Sequence, residues 1–270
     1  MKKNSAKMKL LSAAGMLGIS AAMLATSTYA WFTMNKTVTA TGMQVKAKAE
    51  SGLLISNAAQ GTYADTATTT KTTCTELYPG STKDLANWLH STSKKTDTAN
   101  TEEKYDAGVE WTENNGNYGN FVSHDFYIKS SSEEFDVTSL DINSVTVKVG
   151  SNAPAQDLSK SIRVGLKIEG DSTNYFYAPV EGFTTTVSVQ NAAGDYSSTE
   201  RTNVTAVAGD TKSNSSITNI PSVNGTPIHA TVYIWFEGED NACISDNLNK
   251  AIPNLEQLDF TVEFGYTETA

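Results

Sequence analysis

Alternation of apolar and polar residues with a period of two, recurring along the chain after Lys36, constrains this fold more than any other feature. Successive side chains of a strand point to opposite sides, so this period buries one face and wets the other. In the clearest run Ile162, Val164, Leu166 and Ile168 share one parity, while Arg163, Lys167 and Glu169 share the other. The same pattern recurs at Val145, Val147 and Val149, at Val187 and Val189, at Ala230, Val232, Ile234 and Phe236, and at Leu258, Phe260, Val262 and Phe264. Residues 37–49 also alternate, but the phase slips: Val38 and Ala40 lead into Gly42, after which Met43, Val45 and Ala47 take the inward parity. A glycine at a phase slip predicts a bulge there.

Between these runs the chain is rich in Thr, Ser, Asn, Asp and Gly, as at Gly194-Asp195, Gly209-Asp210 and Asn224-Gly225, which is turn chemistry. Short helices are expected only at 83–90 and 244–252. Residues 58–73 and 91–104 lack large apolar side chains for the most part and are expected to be long surface loops. Many short strands without interleaved long helices predict an all-β chain. The expected form is an antiparallel β-sandwich, jelly-roll or immunoglobulin-like, with polar loop insertions and one or two short helices. No internal repeat is seen, and residues 31–270 read as one elaborated domain.

The first thirty residues have a different character. Lys2, Lys3, Lys7 and Lys9 precede an uncharged run, and Thr28-Tyr29-Ala30 offers small residues for cleavage between Ala30 and Trp31. That is the layout of an export signal peptide. The competing reading is an uncleaved anchor, since the uncharged run continues through Phe32 with Tyr29 and Trp31 suited to a membrane interface. Either reading places the remaining chain outside the cytoplasm. No sorting signal or second hydrophobic span follows Phe264.

The first thirty residues hold four of the twenty basic residues and none of the thirty acidic ones. The remainder, sixteen basic against thirty acidic, carries −14. Such a surface repels nucleic acid and anionic lipid, so a nucleic-acid partner is excluded and membrane contact is confined to the N-terminal segment. Two cysteines in an exported chain suggest one disulfide, Cys74–Cys243. Closing that loop would contribute about 5 kcal/mol in the chain-entropy model. Two buried thiols are the alternative.

No catalytic or cofactor motif is present: there is no GxSxG, SxxK, phosphate-binding loop, dinucleotide glycine fingerprint or CxxC. His90, His124 and His229 are far apart and read as surface residues rather than ligands. Two carboxylate groupings, Glu237, Glu239, Asp240, Asp246 and Asp136, Asp141, Asn143, have the oxygen donors calcium favours but not the spacing of a known calcium loop. The chain therefore reads as noncatalytic, without cofactor or metal. Aromatic residues offer another chemistry. Alternation turns Tyr233 and Trp235 to the face opposite Val232, Ile234 and Phe236, and Tyr175 and Tyr177 share a parity. With Trp88 and Trp111 these rings suit a binding module for glycans or a host protein; the alternative is that a second layer of loops covers that face.

The junction Ser27-Thr28-Tyr29-Ala30-Trp31-Phe32-Thr33, followed by Val38-Thr39-Ala40-Thr41-Gly42-Met43-Gln44-Val45, resembles the start of exported Firmicute proteins of the TasA and camelysin type. Their signals are cleaved by the SipW class of signal peptidase. The resemblance is strongest over residues 1–56 and one of architecture beyond. It implies an extracellular or surface-bound structural protein of a Gram-positive bacterium, a subunit of matrix fibres or pili whose partners are further copies or other matrix proteins. In that scheme the N-terminal segment, with Trp31, Phe32, Val38, Met43 and Val45, completes the sheet of the next subunit. The alternative is that the same segment is the first strand of its own sandwich.

Overall fold

A computed structural model describes residues 38–50, 52–91, 103–112, 118–133, 137–149, 161–178, 186–190, 196–200, 204–206, 213–240, 243 and 258–268. The signal-peptide junction, with Ala30, Trp31 and Phe32, lies outside these residues, as does the second expected helix at 244–252. The first strands are β1 (Val38–Ala49), β2 (Leu53–Ser56), β3 (Thr66–Leu77), β4 (Gly80–Thr82), β5 (Trp88–Ser91) and β6 (Glu103–Asp106). Then come β7 (Tyr118–Gly119), β8 (Phe121–Ser130), β9 (Val137–Val149), β10 (Ile162–Ile168) and β11 (Asn174–Ala178). The last are β12 (Thr186–Gln190), β13 (Tyr196–Glu200), β14 (Val204–Ala206), β15 (Ser213–Asn214), β16 (Ile228–Phe236) and β17 (Leu258–Glu268).

Two six-stranded sheets form the sandwich. The first runs β15-β9-β17-β1-β3-β7 and the second β14-β11-β10-β16-β8-β2. A three-stranded sheet, β4-β5-β6, and a hairpin, β12-β13, are added to them. The chain is all-β, as the alternation predicts, and most pairings are antiparallel. The exceptions are β1 with β17, β3 with β7 and β11 with β14, which are parallel.

The principal core lies between the two sheets. Val45, Ala47, Phe260, Val262 and Phe264 enter from the first sheet and meet Val122, Phe126, Ile128, Val164, Leu166, Val232 and Ile234 from the second, all at most 2% exposed. Ile142 and Val145 of β9 both join this core although three positions apart. The register explains it: Phe264 faces Ile142 while Glu263 faces Ser144, so Asn143 is the extra residue of a bulge that resets the parity. The irregularity of β1 falls between Val38 and Ala40, opposite β3, and not at Gly42.

Three other expectations are corrected. The second half of 58–73 is not loop, because residues 66–73 belong to β3, where β-branched threonines suit a strand lying along β1. Residues 83–90 are not helical. The Thr82 hydroxyl accepts the N–H groups of Asp84 and Leu85, and Asp84 accepts those of Ala86 and Asn87. These local bonds replace a helix's own ladder, and Leu85 adopts a positive φ of 56° before the chain enters β5. The bridge suggested by the cysteine count is not seen: Cys243 is a fully buried thiol outside any disulfide, and the side chain of Cys74 lies outside the described residues. Burial first, then the nearby Glu237 and Asp240 carboxylates, push that thiol far up, so it stays protonated and unreactive.

One buried carboxylate fastens the two sheets at an end of the sandwich. Asp171, in the turn between β10 and β11, accepts hydrogen bonds from the Thr173 N–H, the Tyr175 hydroxyl and both the N–H and hydroxyl of Ser216. Ser216 follows β15 on the first sheet, whose neighbours Ser215 and Ile217 bond the backbone of Leu140. Burial alone would raise the Asp171 carboxyl, but its hydrogen bonds outweigh that and hold it below the usual carboxylate range. A carboxyl lowered in the folded state stabilises the fold above its unfolded pKa, and that contribution is lost as pH falls through the folded value. Asp171→Asn is expected to cost about 1.5–3 kcal/mol at neutral pH. It should also flatten the loss of stability below about pH 4, measured by urea unfolding across a pH series.

Candidate functional site

Two features of this sandwich have the makings of a site: the slot that β1 fills, and the outer face of the second sheet. In the first, β1 lies between β17 and β3. Gln44 to Ala49 run parallel to Asp259 to Phe264, and Val38 to Lys48 run antiparallel to Leu77 to Thr66. Val45 and Ala47 are fully buried in the core, while Gln44 is exposed and Lys46 and Lys48 half-buried on the other face. The strand is therefore an interior member of its own sheet. Beyond it the chain turns at Glu50, whose N–H bonds Phe264, and crosses to the second sheet through Gly52. Gly52 has φ of +107° beneath the Tyr266 ring, and a Cβ there would lie 2.6 Å from the phenol oxygen, so only glycine fits the crossing. Val38 and Met43 belong to β1 by backbone, and their side chains lie outside the described residues.

The outer face of the second sheet divides in two. One half is roofed by the β4-β5-β6 sheet and the loop before β5. There Trp88 stacks on Phe121 at 4.5 Å and meets Trp235 edge-on at 5.2 Å, with Phe176 and Leu85 completing a second core. Trp235 is thus fully buried, with its indole N–H 3.3 Å from Glu237, and is not a binding-face residue. Trp88 and Trp111 are buried as well, and Tyr175 and Tyr177 point into the principal core beside Leu166 and Val164. Gly165 makes the roof possible, since a Cβ there would come 2.5 Å from Leu85 and 3.1 Å from Trp235.

Arg163 is also under this roof, not in water as its parity suggested. It is fully buried and pairs with Asp240 at 2.6 Å, while its other terminal nitrogen bonds the Ile162 carbonyl at 2.9 Å. Glu237 and Asp240, oxygen donors weighed for calcium in the sequence and set aside for want of the spacing, are committed to Trp235 and Arg163 respectively. Asp141 is buried in β9 and accepts from Thr267 and Ser139. Among the described residues no group of three or more metal-ligating side chains converges.

Two of the three histidines are buried as well. His90 bonds Asp106 at 2.7 Å across β5 and β6, where burial would raise the aspartate but Lys104, His90 and the Gly108 N–H hold it well below the usual range. His124 lies on the inward parity of β8 and is hydrogen-bonded to Thr69 of β3, so it links the two sheets. Neither was legible as buried, because a single histidine carries no signal for a partner distant in sequence.

The other half of the outer face is open. Register places Ser123, Asp125 and Tyr127 of β8 directly opposite Tyr233, Thr231 and His229 of β16. Asp125 accepts from His229 at 2.8 Å and from Thr231 at 3.0 Å, both on Oδ1. The Tyr127 ring stacks on the His229 imidazole at 4.9 Å and 13°. Tyr233 stands at the border of the roof; burial, then the nearby Asp125 and Glu110 carboxylates, raise its phenol. Sequence reasoning singled out Tyr233 but missed its neighbours. The signal was present in β8, where Ser123, Asp125, Tyr127 and Lys129 alternate against Val122, His124, Phe126 and Ile128.

The chain matches no protein-family model, no curated protein and no solved structure. Among the described residues no helix is long and apolar enough to cross a membrane.

The Arg163–Asp240 pair gives the roof a sharp test. Removing one partner strands a buried charge and is expected to cost about 3–5 kcal/mol. Replacing both, as Arg163→Met with Asp240→Leu, should cost clearly less than the sum of the single changes, a coupling that a double-mutant cycle of thermal or denaturant unfolding measures directly.

Proposed function

We propose that this chain is a noncatalytic, exported structural protein of the bacterial surface or matrix, of the TasA and camelysin kind, which self-associates through its N-terminal strand. Export rests on the basic-then-uncharged N-terminus with its Ala30–Trp31 junction, which a signal peptidase would process. The observation that carries self-association is the position of β1. It fills an interior slot between β3 and β17, yet among the described strands it joins the body of the fold by one covalent link, through Glu50 to Gly52.

A strand with that connection can fill its own slot or that of a second copy with the same register, the same buried Val45 and Ala47 and the same hydrogen bonds. Exchange between copies is head-to-tail, and contacts of that kind do not close on themselves, so they propagate into filaments. The acidic surface disfavours nucleic-acid partners, and the chain's chemistry calls for no cofactor.

The test compares protein beginning at Trp31 with protein beginning at Gly52, by sedimentation and negative-stain microscopy over a concentration series. The longer form is expected to make filaments. The shorter form should make none, and should bind a synthetic peptide of residues 37–50 with a gain in thermal stability. Filaments from the shorter form, or a longer form that stays monomeric throughout, would overturn self-association through β1.

A further inference from the structure

We propose that the open half of the second sheet's outer face binds a neutral oligosaccharide, laid along β8 and β16 from Tyr233 across Asp125 to the Tyr127–His229 stack. The inference stands on this face alone and does not rest on assembly through β1.

The face offers what a sugar chain needs. A pyranose ring has apolar C–H faces and a rim of hydroxyls, so its recognition calls for an aromatic platform with hydrogen-bonding groups beside it. Tyr127 and His229 hold each other in place, their rings stacked within 13° of parallel, so the ring face turned away from the stack is fixed as a platform for a sugar to lie on. Tyr63 extends it beyond Tyr127, with the Lys129 ammonium 4.0 Å from its ring centroid. Asp125 is held by two bonds on Oδ1, which leaves Oδ2 with no partner among the described residues. The Tyr127 and Tyr233 hydroxyls likewise have none among the described residues. An ordered carboxylate whose second oxygen is open, between two phenols, is an acceptor with little orientational freedom left to lose on binding.

Length and charge narrow the ligand. Tyr127 and Tyr233 sit at register positions four residues apart, roughly 13 Å at the rise of a strand. A single sugar cannot reach both rings, so the ligand is an oligomer. Asp125, Glu110 and Glu169 outnumber Lys129 and Lys167 on this face: Lys167 lies opposite Thr231 on β10, and Glu169, of the same parity, bonds the His229 carbonyl through its N–H. A face with an excess of carboxylates, in a chain of net charge −10, repels a polyanion at short and long range alike. A neutral chain meets no such barrier.

The experiment titrates the full chain with cellohexaose, chitohexaose and a hexamer of galacturonate, followed by calorimetry and amide NMR. Saturable binding of at least one neutral hexamer is expected, on the order of 0.1–1 mM as suits an open, hydrated face. The matching monosaccharide should bind at least about tenfold more weakly. Tyr127→Ala and Asp125→Ala should each weaken the hexamer by about tenfold or more, whereas Thr68→Ala, exposed on β3 of the other sheet, should not. Tyr127→Phe keeps the ring and is expected to retain most of the affinity, a comparison that holds even if an alanine variant folds poorly. No binding of either neutral hexamer at about 5 mM, binding that survives both alanine changes, or preference for the galacturonate would each overturn the proposal.

Discussion

The first sheet depends on one strand from the start of the chain being held between two strands that come later. Without β1, β3 and β17 would face each other across an empty row of backbone donors and acceptors, and the core would lose Val45 and Ala47 from its middle. Unpaired backbone groups in a sheet interior are costly, each forfeiting a hydrogen bond that water cannot restore in a dry core. The slot must therefore be filled, and what fills it decides whether the molecule is closed on itself or joined to another. Self-association in this scheme is a choice of donor, with nearly the same contacts on either side.

The second sheet solves a different problem. Its inner face is committed to the core, so its outer face must be roofed or wetted, and this chain does both. The roof over Trp235, Phe121 and Phe176 comes from a small sheet inserted between β3 and β7, packed through Trp88 and anchored near Arg163 and Asp240. Where it ends, at Tyr233, the same strands continue with Thr231, His229, Asp125 and Tyr127 in the open. One pair of strands thus carries a buried aromatic cluster at one end and a polar-aromatic platform at the other.

The architecture was legible where period two was clean. Val164, Leu166, Val232, Ile234, Val262 and Phe264 all face the core as their parity requires. It failed where the partner is remote. Arg163 reads as solvent-facing until a loop seventy-seven residues later brings Asp240 over it. Trp235 reads as exposed until Trp88 covers it from an insertion whose sequence looked like helix and loop. The threonines of β3 look like a polar linker, and only the neighbouring β1 makes them a strand. Parity tells which residues share a face; it cannot tell whether another layer lies on that face. The same limit hid the open platform, whose members are individually ordinary and become a group only through the β8–β16 register.

The parallel pairing of β1 with β17 also sets an order of events. Gln44 lies beside Asp259, 215 positions later, so the strand made first must await the strand made last. Contacts so distant in sequence form slowly, because a large loop has to close before they repay its entropy. Throughout that interval one edge of β1 has no resident neighbour, and it is then that the proposed exchange of strands between copies would compete with closure of each chain upon itself. In the proposed assembly, the concentration of exported chains where they fold, more than any property of the finished molecule, would then govern whether single copies or chains of copies result.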